Sequence, residues 1–267
     1  NTIRVFGNGY KHIGCMDLSA DSKWLLAGTY DHSAFLWNTT TGKLVHAFSG
    51  LKSAILGVAF SPDGSKAAMA CSDHTVEIRS VPSGTLIRSM TGHTDHVSCV
   101  VWSPDGQYIA SGSMDKSMII WDPMTGKIIK KIKYDADRVT TLAVSPDGGK
   151  VAVGLINFPM LFDTSPEPSL GIHKAFKRLF HGKPIIIVDP VQGKAIKKFS
   201  FDFYNINSLA FSPDGSKLLI GGDKFRSKGP ERFLGICDIN TGKIVQSFPG
   251  YKIPIETAVF SPDGKWI

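Results

Sequence analysis

The histidines and aspartates of this 267-residue sequence are the residue types that metal binding or acid–base catalysis requires. His32 and His74 each follow an aspartate, and the two Asp-His pairs lie 42 residues apart. Two imidazoles bind a metal well only with further ligands, usually a carboxylate, and this pair has no carboxylate partner at an equivalent position. We therefore predict no metal site and no cofactor.

The sequence also shows no pattern typical of a catalytic nucleophile or a redox site. The four cysteines show no Cys-x-x-Cys spacing, which predicts small buried core residues rather than disulfides or a metal site. No Gly-x-Ser-x-Gly, His-Glu-x-x-His or P-loop pattern is present. The sequence thus indicates no catalytic constellation, and we predict that the protein is not an enzyme.

An internal repeat in the sequence indicates the secondary-structure elements that must position these residues. A Ser-Pro-Asp-Gly tetrapeptide begins at Ser61, Ser103, Ser145, Ser212 and Ser261, and a degenerate copy begins at Ser19. A turn glycine, mostly within Thr-Gly-Lys, recurs at Gly42, Gly84, Gly126, Gly193 and Gly242. From each of these glycines to the next tetrapeptide serine the distance is always 19 residues. Such a fixed spacing is the signature of a repeat architecture.

The third unit shows what one repeat forms. Residues 96–103 are mainly apolar and end at the Ser-Pro-Asp-Gly turn, and residues 107–114 continue as a second strand. Residues 117–121 and 128–132 supply a third strand and a more exposed fourth strand. Four antiparallel strands in about 42 residues form one blade of a β-propeller. The predicted fold class is therefore all-β, a propeller of four-stranded antiparallel blades.

The same unit carries a resemblance to a known family. Gly92-His93, Ser111, Asp115 and Trp121-Asp122 stand where the WD-repeat β-propeller family has its hydrogen-bonded residues, and the sequence resembles that family over nearly its whole length. The resemblance implies that His93, Ser111, Asp115 and Trp121 form a buried polar relay that locks the blade. Other units depart from this pattern, since Arg79, Val188 and Cys237 occupy the tryptophan position.

The repeat does not end on a complete unit. Residues 2–6 resemble an outer strand without its own blade, and residues 255–267 supply a predicted first strand, a turn and the start of a second strand. We expect residues 1–267 to form a single propeller domain, truncated at its C-terminus, with five complete blades and part of another. The full protein would then have six or seven blades.

Two insertions fall between the second and third strands of the fourth and fifth units. Residues 158–183 include Ile172, Phe176, Leu179 and Phe180 at helical spacing, which predicts an amphipathic helix. Residues 223–232 form a short basic insertion. Four basic residues and one glutamate in 164–184, with four basic residues and two carboxylates in 223–232, supply +5 of the net charge of +7.

The insertions are the candidate partner-binding surface. Its candidate residues are Lys174, Phe176, Lys177, Arg178, Phe180, Lys224, Arg226, Lys228 and Arg232. Three interpretations stay open: the helix packs on the propeller with its lysines in water, it binds an acidic or apolar groove of a protein, or the basic residues bind an anionic surface, either nucleic acid or membrane headgroups.

The function that this sequence favours is a non-catalytic protein–protein interaction scaffold within a longer chain or a larger assembly. A sensor or regulatory propeller of a signalling or NTPase protein is the alternative from another class. No signal-peptide pattern is visible at the start, which favours a cytoplasmic location, although the first residue is not methionine.

Overall fold

The fold is a β-propeller, described by a computed structural model over residues 13–48, 51–134, 138–156, 183–201, 203–226 and 229–267. Within these residues, twenty strands form five antiparallel sheets of four consecutive strands each, which confirms the predicted fold class. In the described part of the chain, no helix has the length and apolar character needed to cross a membrane.

Three blades form a first compact unit that ends at Lys133. Blade 1 contains β1 (Ile13–Leu18), β2 (Trp24–Thr29), β3 (Ala34–Asn38) and β4 (Leu44–Phe48). Blade 2 contains β5 (Ile55–Phe60), β6 (Lys66–Cys71), β7 (Thr75–Ser80) and β8 (Leu86–Thr91). Blade 3 contains β9 (Val97–Trp102), β10 (Ile109–Ser113), β11 (Ser117–Trp121) and β12 (Ile128–Lys133).

Two further blades form a second unit that begins at Tyr134. Blade 4 contains β13 (Arg138–Val144), β14 (Val151–Ile156), β15 (Lys183–Val188) and β16 (Ala195–Phe201). Blade 5 contains β17 (Phe203–Phe211), β18 (Lys217–Arg226), β19 (Gly229–Asp238) and β20 (Ile244–Phe248).

Apolar side chains between the sheets form the core. Every residue of β10, β11 and β14 is buried, whereas the outer strand β12 is largely exposed. In the first unit, Leu26 and Leu36 of blade 1 pack with Ile55 and Met69 of blade 2. Because both faces of a middle strand meet a neighbouring sheet, these strands have continuous apolar runs instead of alternating apolar and polar residues.

A hydroxyl–carboxylate pair builds each turn between the first and second strands. In all six copies, including the degenerate one at Ser19, the serine Oγ donates to an oxygen of the aspartate two residues later at 2.5–2.7 Å. The same Oγ accepts the backbone N–H of the residue five positions on, at 2.9–3.0 Å. The glycine of the motif has a φ near +70°, and Ser22 adopts φ +58° in its place. The turn therefore sets the register of the two strands it joins.

Of the two predicted insertions, only the second lies largely within the described residues. Residues 158–182, with the predicted amphipathic helix, lie outside the described residues, and Lys183 begins β15. Residues 223–232 lengthen β18 and β19 to ten residues each, with Asp223 opposite Arg232 and Lys224 opposite Glu231. The second insertion is thus part of an extended β-hairpin.

Of the two partial units predicted near the ends of the sequence, only the second lies within the described residues. Residues 2–6 lie outside the described residues. Residues 255–261, where the sequence predicted a first strand, are described but form no strand. The segment nevertheless contacts blade 5, since Ala258 N–H donates to Ser208 Oγ at 2.8 Å and Ile255 packs near Leu219.

Removing a turn hydroxyl tests the importance of the hydroxyl–carboxylate pair. Ser145→Ala leaves the Lys150 N–H without the acceptor it has in a buried turn, and we expect the free energy of unfolding to fall by about 1–3 kcal/mol. Urea denaturation measures this change. Ser200→Ala, on the exposed side of β16, is the matched control and should change the free energy by less than about 0.5 kcal/mol.

Acid should weaken the same turns. Donation by the serine hydroxyls lowers the pKa of Asp63, Asp147 and Asp214 to about 2. Because the folded-state pKa lies below the unfolded value near 3.9, this stabilisation is complete above about pH 4 and is lost as the pH falls towards 2. Urea midpoints at pH 5 and pH 2.5 should show a smaller acid-induced loss for Asp147→Asn than for Glu256→Gln, an exposed control. An equal loss in both variants would contradict this role of the turn carboxylate.

Candidate functional site

The polar side chains that the family resemblance brings together in blade 3 lie in one continuous chain of contacts. Trp121, at the end of β11, donates its Nε1–H to Ser111 Oγ in the centre of β10 at 2.7 Å. Ser111 Oγ lies 2.8 Å from Nε2 of His93, which precedes β9. His93 Nδ1 lies 3.0 Å from Asp115 Oδ2, in the turn after β10. The blade-3 relay, as we call these four residues, joins two strands, the turn between them and the link that precedes β9.

The direction of the hydrogen bonds in the blade-3 relay follows from Trp121, which can only donate. It follows equally from Asp115, whose carboxylate can only accept, so that His93 donates to it from Nδ1. A neutral imidazole then has its lone pair on Nε2, which accepts the proton of Ser111, while Ser111 Oγ accepts from Trp121. Burial lowers the pKa of His93, which keeps the imidazole neutral. The relay is thus a one-way chain of donors that ends on a carboxylate.

Asp115 is the charged end of the relay. Its burial raises the pKa, but donation by the Ser117 hydroxyl, the Thr94 N–H and His93 outweighs burial, so the pKa of Asp115 lies well below its usual range. The ammonium group of Lys131 lies 3.4 Å from Asp115 Oδ2. A carboxylate with this many donors holds the turn after β10 against the link that carries His93.

The order serine–histidine–aspartate is also that of a hydrolytic triad, and burial decides between the two roles. Ser111 is 0% exposed, and its hydroxyl already donates to His93 and accepts from Trp121. A nucleophile must reach a substrate carbonyl through an open site. The position and the full hydrogen bonding of Ser111 instead fit a structural role.

Other blades replace the serine of the relay by an apolar residue. The positions equivalent to Ser111, eight residues after each turn serine, are occupied by buried apolar residues, namely Ala27, Met69, Val153 and Ile220. Arg79, in the tryptophan position of blade 2, forms an ion pair with Glu77 at 2.7 Å and donates to Gly84 O. The Ser111 position therefore holds either a hydrogen-bonded serine or an apolar residue, and Arg79 has polar partners.

In the basic hairpin of β18 and β19, two of the predicted partner-binding residues have contacts within blade 5. Lys224 Nζ lies 3.7 Å from the ring centroid of Phe233 and 5.2 Å from that of Phe203. Arg232 pairs with Asp223 at 2.7 Å, and Asp223 is only 3% exposed. Both cations therefore help to hold the hairpin on its blade.

The remaining candidates are not brought together in this way. Lys174, Phe176, Lys177, Arg178, Phe180 and Lys228 lie outside the described residues, and Arg226 is the last residue of β18.

Asp17 is a residue with an unusual environment that sequence reasoning missed. It lies in β1, and its Oδ2 accepts the N–H of Phe60 in blade 2 at 2.7 Å. Burial raises the pKa of Asp17 to about 6, more than its two backbone hydrogen bonds lower it. The signal was present in the repeat, since the equivalent residues of the next two units are Ala59 and Val101.

Comparison with known proteins adds three findings. A model of the family described as WD domain, G-beta repeat matches residues 1–38, 42–79, 84–122 and 193–225. Transcription initiation factor TFIID subunit 5 of Caenorhabditis elegans is 34% identical over 62 residues, which is 23% of this chain and 10% of that protein. The chain thus matches only a small part of the length of that curated relative.

A solved structure shares the fold. Hydrazine synthase of Kuenenia stuttgartiensis superimposes with a TM-score of 0.81 at 15% identity, over 98% of this chain and 75% of that chain. At this level of identity the similarity shows the architecture and nothing about activity.

The blade-3 relay should be costly to interrupt. Ser111→Ala removes the acceptor of Trp121 Nε1–H and the donor to His93 Nε2 in a fully buried place, and we expect the free energy of unfolding to fall by about 2–4 kcal/mol. Urea denaturation measures it, and Ser89→Ala on exposed β8 serves as the control. A loss within about 0.5 kcal/mol of that control would contradict a blade-locking role.

Proposed function

The chain belongs to the WD domain, G-beta repeat family, and we propose that it is a non-catalytic scaffold for protein–protein interaction. Propellers of this family are generally interaction modules without catalysis. The observation that carries the proposal is the saturated state of the blade-3 relay, because the described Ser-His-Asp arrangement is closed to substrate and serves packing. The hydrazine synthase similarity supports only the fold and leaves this argument unchanged.

We further propose that a protein partner contacts the face bearing the two insertions. Both insertions follow the second strand of a blade, after β14 and within the β18–β19 hairpin, so they belong to the same kind of loop. The internal contacts of Lys224 and Arg232 direct this proposal to the other basic residues, Arg226 and Lys228, and to the segment 170–182. A partner that offers acidic or apolar residues suits this composition.

Action within a larger assembly is the corresponding proposal for the cellular context. The curated relative is, by its name, a subunit of a transcription initiation factor. Repeat propellers suit such a role because a rigid stack of sheets presents many independent loops. We propose membership of an assembly for this chain and carry over no specific partner from that relative.

Binding to an anionic surface is a second candidate, favoured by the local charge. The two insertions supply +5 of the net +7. Phosphate binding releases counterions, so affinity for nucleic acid or lipid headgroups should fall steeply between about 50 and 200 mM salt. An apolar protein interface should respond much less.

Affinity capture from a lysate of the source cells tests the proposed face. Deletion of residues 170–182, or the pair Arg226→Ala and Lys228→Ala, should reduce the quantity of each specifically captured protein at least about tenfold, as expected for a loss of roughly 1.4 kcal/mol. Quantitative mass spectrometry provides the measurement. Lys127→Ala with Lys130→Ala, on the exposed edge of blade 3, is the charge-matched control.

Capture unchanged by these variants would place the interface elsewhere. Capture of nucleic acid alone, abolished at 200 mM salt, would favour the anionic-surface candidate over the protein scaffold. The circular dichroism of each variant should stay that of a β protein.

A further inference from the structure

Three side chains with metal-binding atoms converge beside blades 2 and 3. His74 lies in the turn between β6 and β7, and Asp95 and His96 lie in the link between β8 and β9. One potential ligand atom from each residue lies within 4.8 Å of those of the other two. We call these three residues the His-Asp-His cluster.

Hydrogen bonds to Asp95 and His96 orient the cluster. His96 Nδ1 lies 2.5 Å from the carbonyl oxygen of Ser72 and must donate its proton to it, which leaves the lone pair on Nε2. The backbone N–H of His96 donates to Asp95 Oδ1 at 2.7 Å. Histidines that bind metals almost always donate their other ring N–H to such a carbonyl or carboxylate. His96 is thus held in the tautomer that a metal requires.

We propose that the His-Asp-His cluster is a binding site for a first-row divalent transition metal ion, with Zn²⁺ as the best match. Two imidazoles and one carboxylate are the donor set of three-ligand zinc sites. At metal–ligand distances of about 2.1 Å, tetrahedral ligands lie roughly 3.4 Å apart. Because His74 is exposed, rotation of its side chain can bring its ligand atom closer to those of Asp95 and His96, while the His96 ring keeps its hydrogen bond to Ser72.

From the sequence alone, no metal site is predicted, because the repeat matches His74 with His32 and offers that pair no carboxylate. His32 shares the repeat position of His74 and its left-handed φ of about +70°. In the link that faces His32, the residues equivalent to Asp95 and His96 are Ser53 and Ala54. Blade 1 therefore has the histidine without the other two ligands, which makes His32 a matched control within the same protein.

The three ligands come from two separate loops, so a bound ion would join the hairpin of blade 2 to the link that enters blade 3. Three protein ligands also leave one coordination position for water or for a side chain from another molecule. The exposure of both imidazoles places that position towards solvent. The site thus extends the proposed scaffold role without depending on it.

Titration of the intact, tag-free chain with Zn²⁺ tests this site. Isothermal titration calorimetry should show one equivalent bound, and Co²⁺ should give the visible absorption of a tetrahedral complex. His74→Asn keeps a residue that tolerates a left-handed φ, and it should weaken Zn²⁺ affinity at least about tenfold. Asp95→Asn, which keeps the acceptor for the His96 N–H, should do the same.

The control variant His32→Asn should bind Zn²⁺ as the unmodified protein does. Absence of stoichiometric binding to the unmodified protein would overturn the proposal. It would also be overturned if His74→Asn and Asp95→Asn bound normally, or if His32→Asn lost affinity to the same extent. These outcomes concern the metal alone, so they are independent of partner capture.

Discussion

The hydrogen bond from each turn serine to the aspartate two residues later is the interaction on which the blades depend. It holds the first and second strands in one register, and register decides which side chains face the neighbouring sheet. Since the middle strands are buried on both faces, a shift of one residue would move each apolar side chain to the opposite face of its sheet, where it would meet the wrong neighbours. The same short motif therefore recurs in all six turns, even where the proline and glycine have been replaced, as between Ser19 and Ser22.

Within this register, the position of Ser111 is filled either by a hydrogen-bonded serine or by an apolar side chain. Blade 3 places Ser111 where blade 2 has Met69, and it completes the hydrogen bonds of that serine with His93 and Trp121. Blade 2 instead fills the space with the methionine and pairs Arg79 with Glu77. An unpaired polar group in the same place would lose its hydration without compensation. This constraint explains why a serine, a histidine and an aspartate in triad order serve structure here.

Exposed loop side chains can be hydrated, so they do not need a hydrogen-bond partner within the protein. The functional proposals concern residues of these loops and of the hairpin beside them. In the β18–β19 hairpin, contacts with Phe233 and Asp223 hold Lys224 and Arg232 and so narrow the basic surface that sequence composition indicated. At the link between blades 2 and 3, the packing of two loops places His74 against His96. Both results come from side chains on different segments, which is where a one-dimensional pattern carries least information.

By itself, the sequence determined the repeat, the turn chemistry, the four strands of each blade and, through family resemblance, the members of the blade-3 relay. These features depend on local spacing, because strand period and turn geometry are set by neighbouring residues. The tertiary structure alone decided that Asp17 accepts the N–H of Phe60, that residues 223–232 lengthen a hairpin, and that His74 meets Asp95 and His96. Each of these contacts joins separate strands or loops, and only the packing of one strand or segment on the next brings their atoms close together.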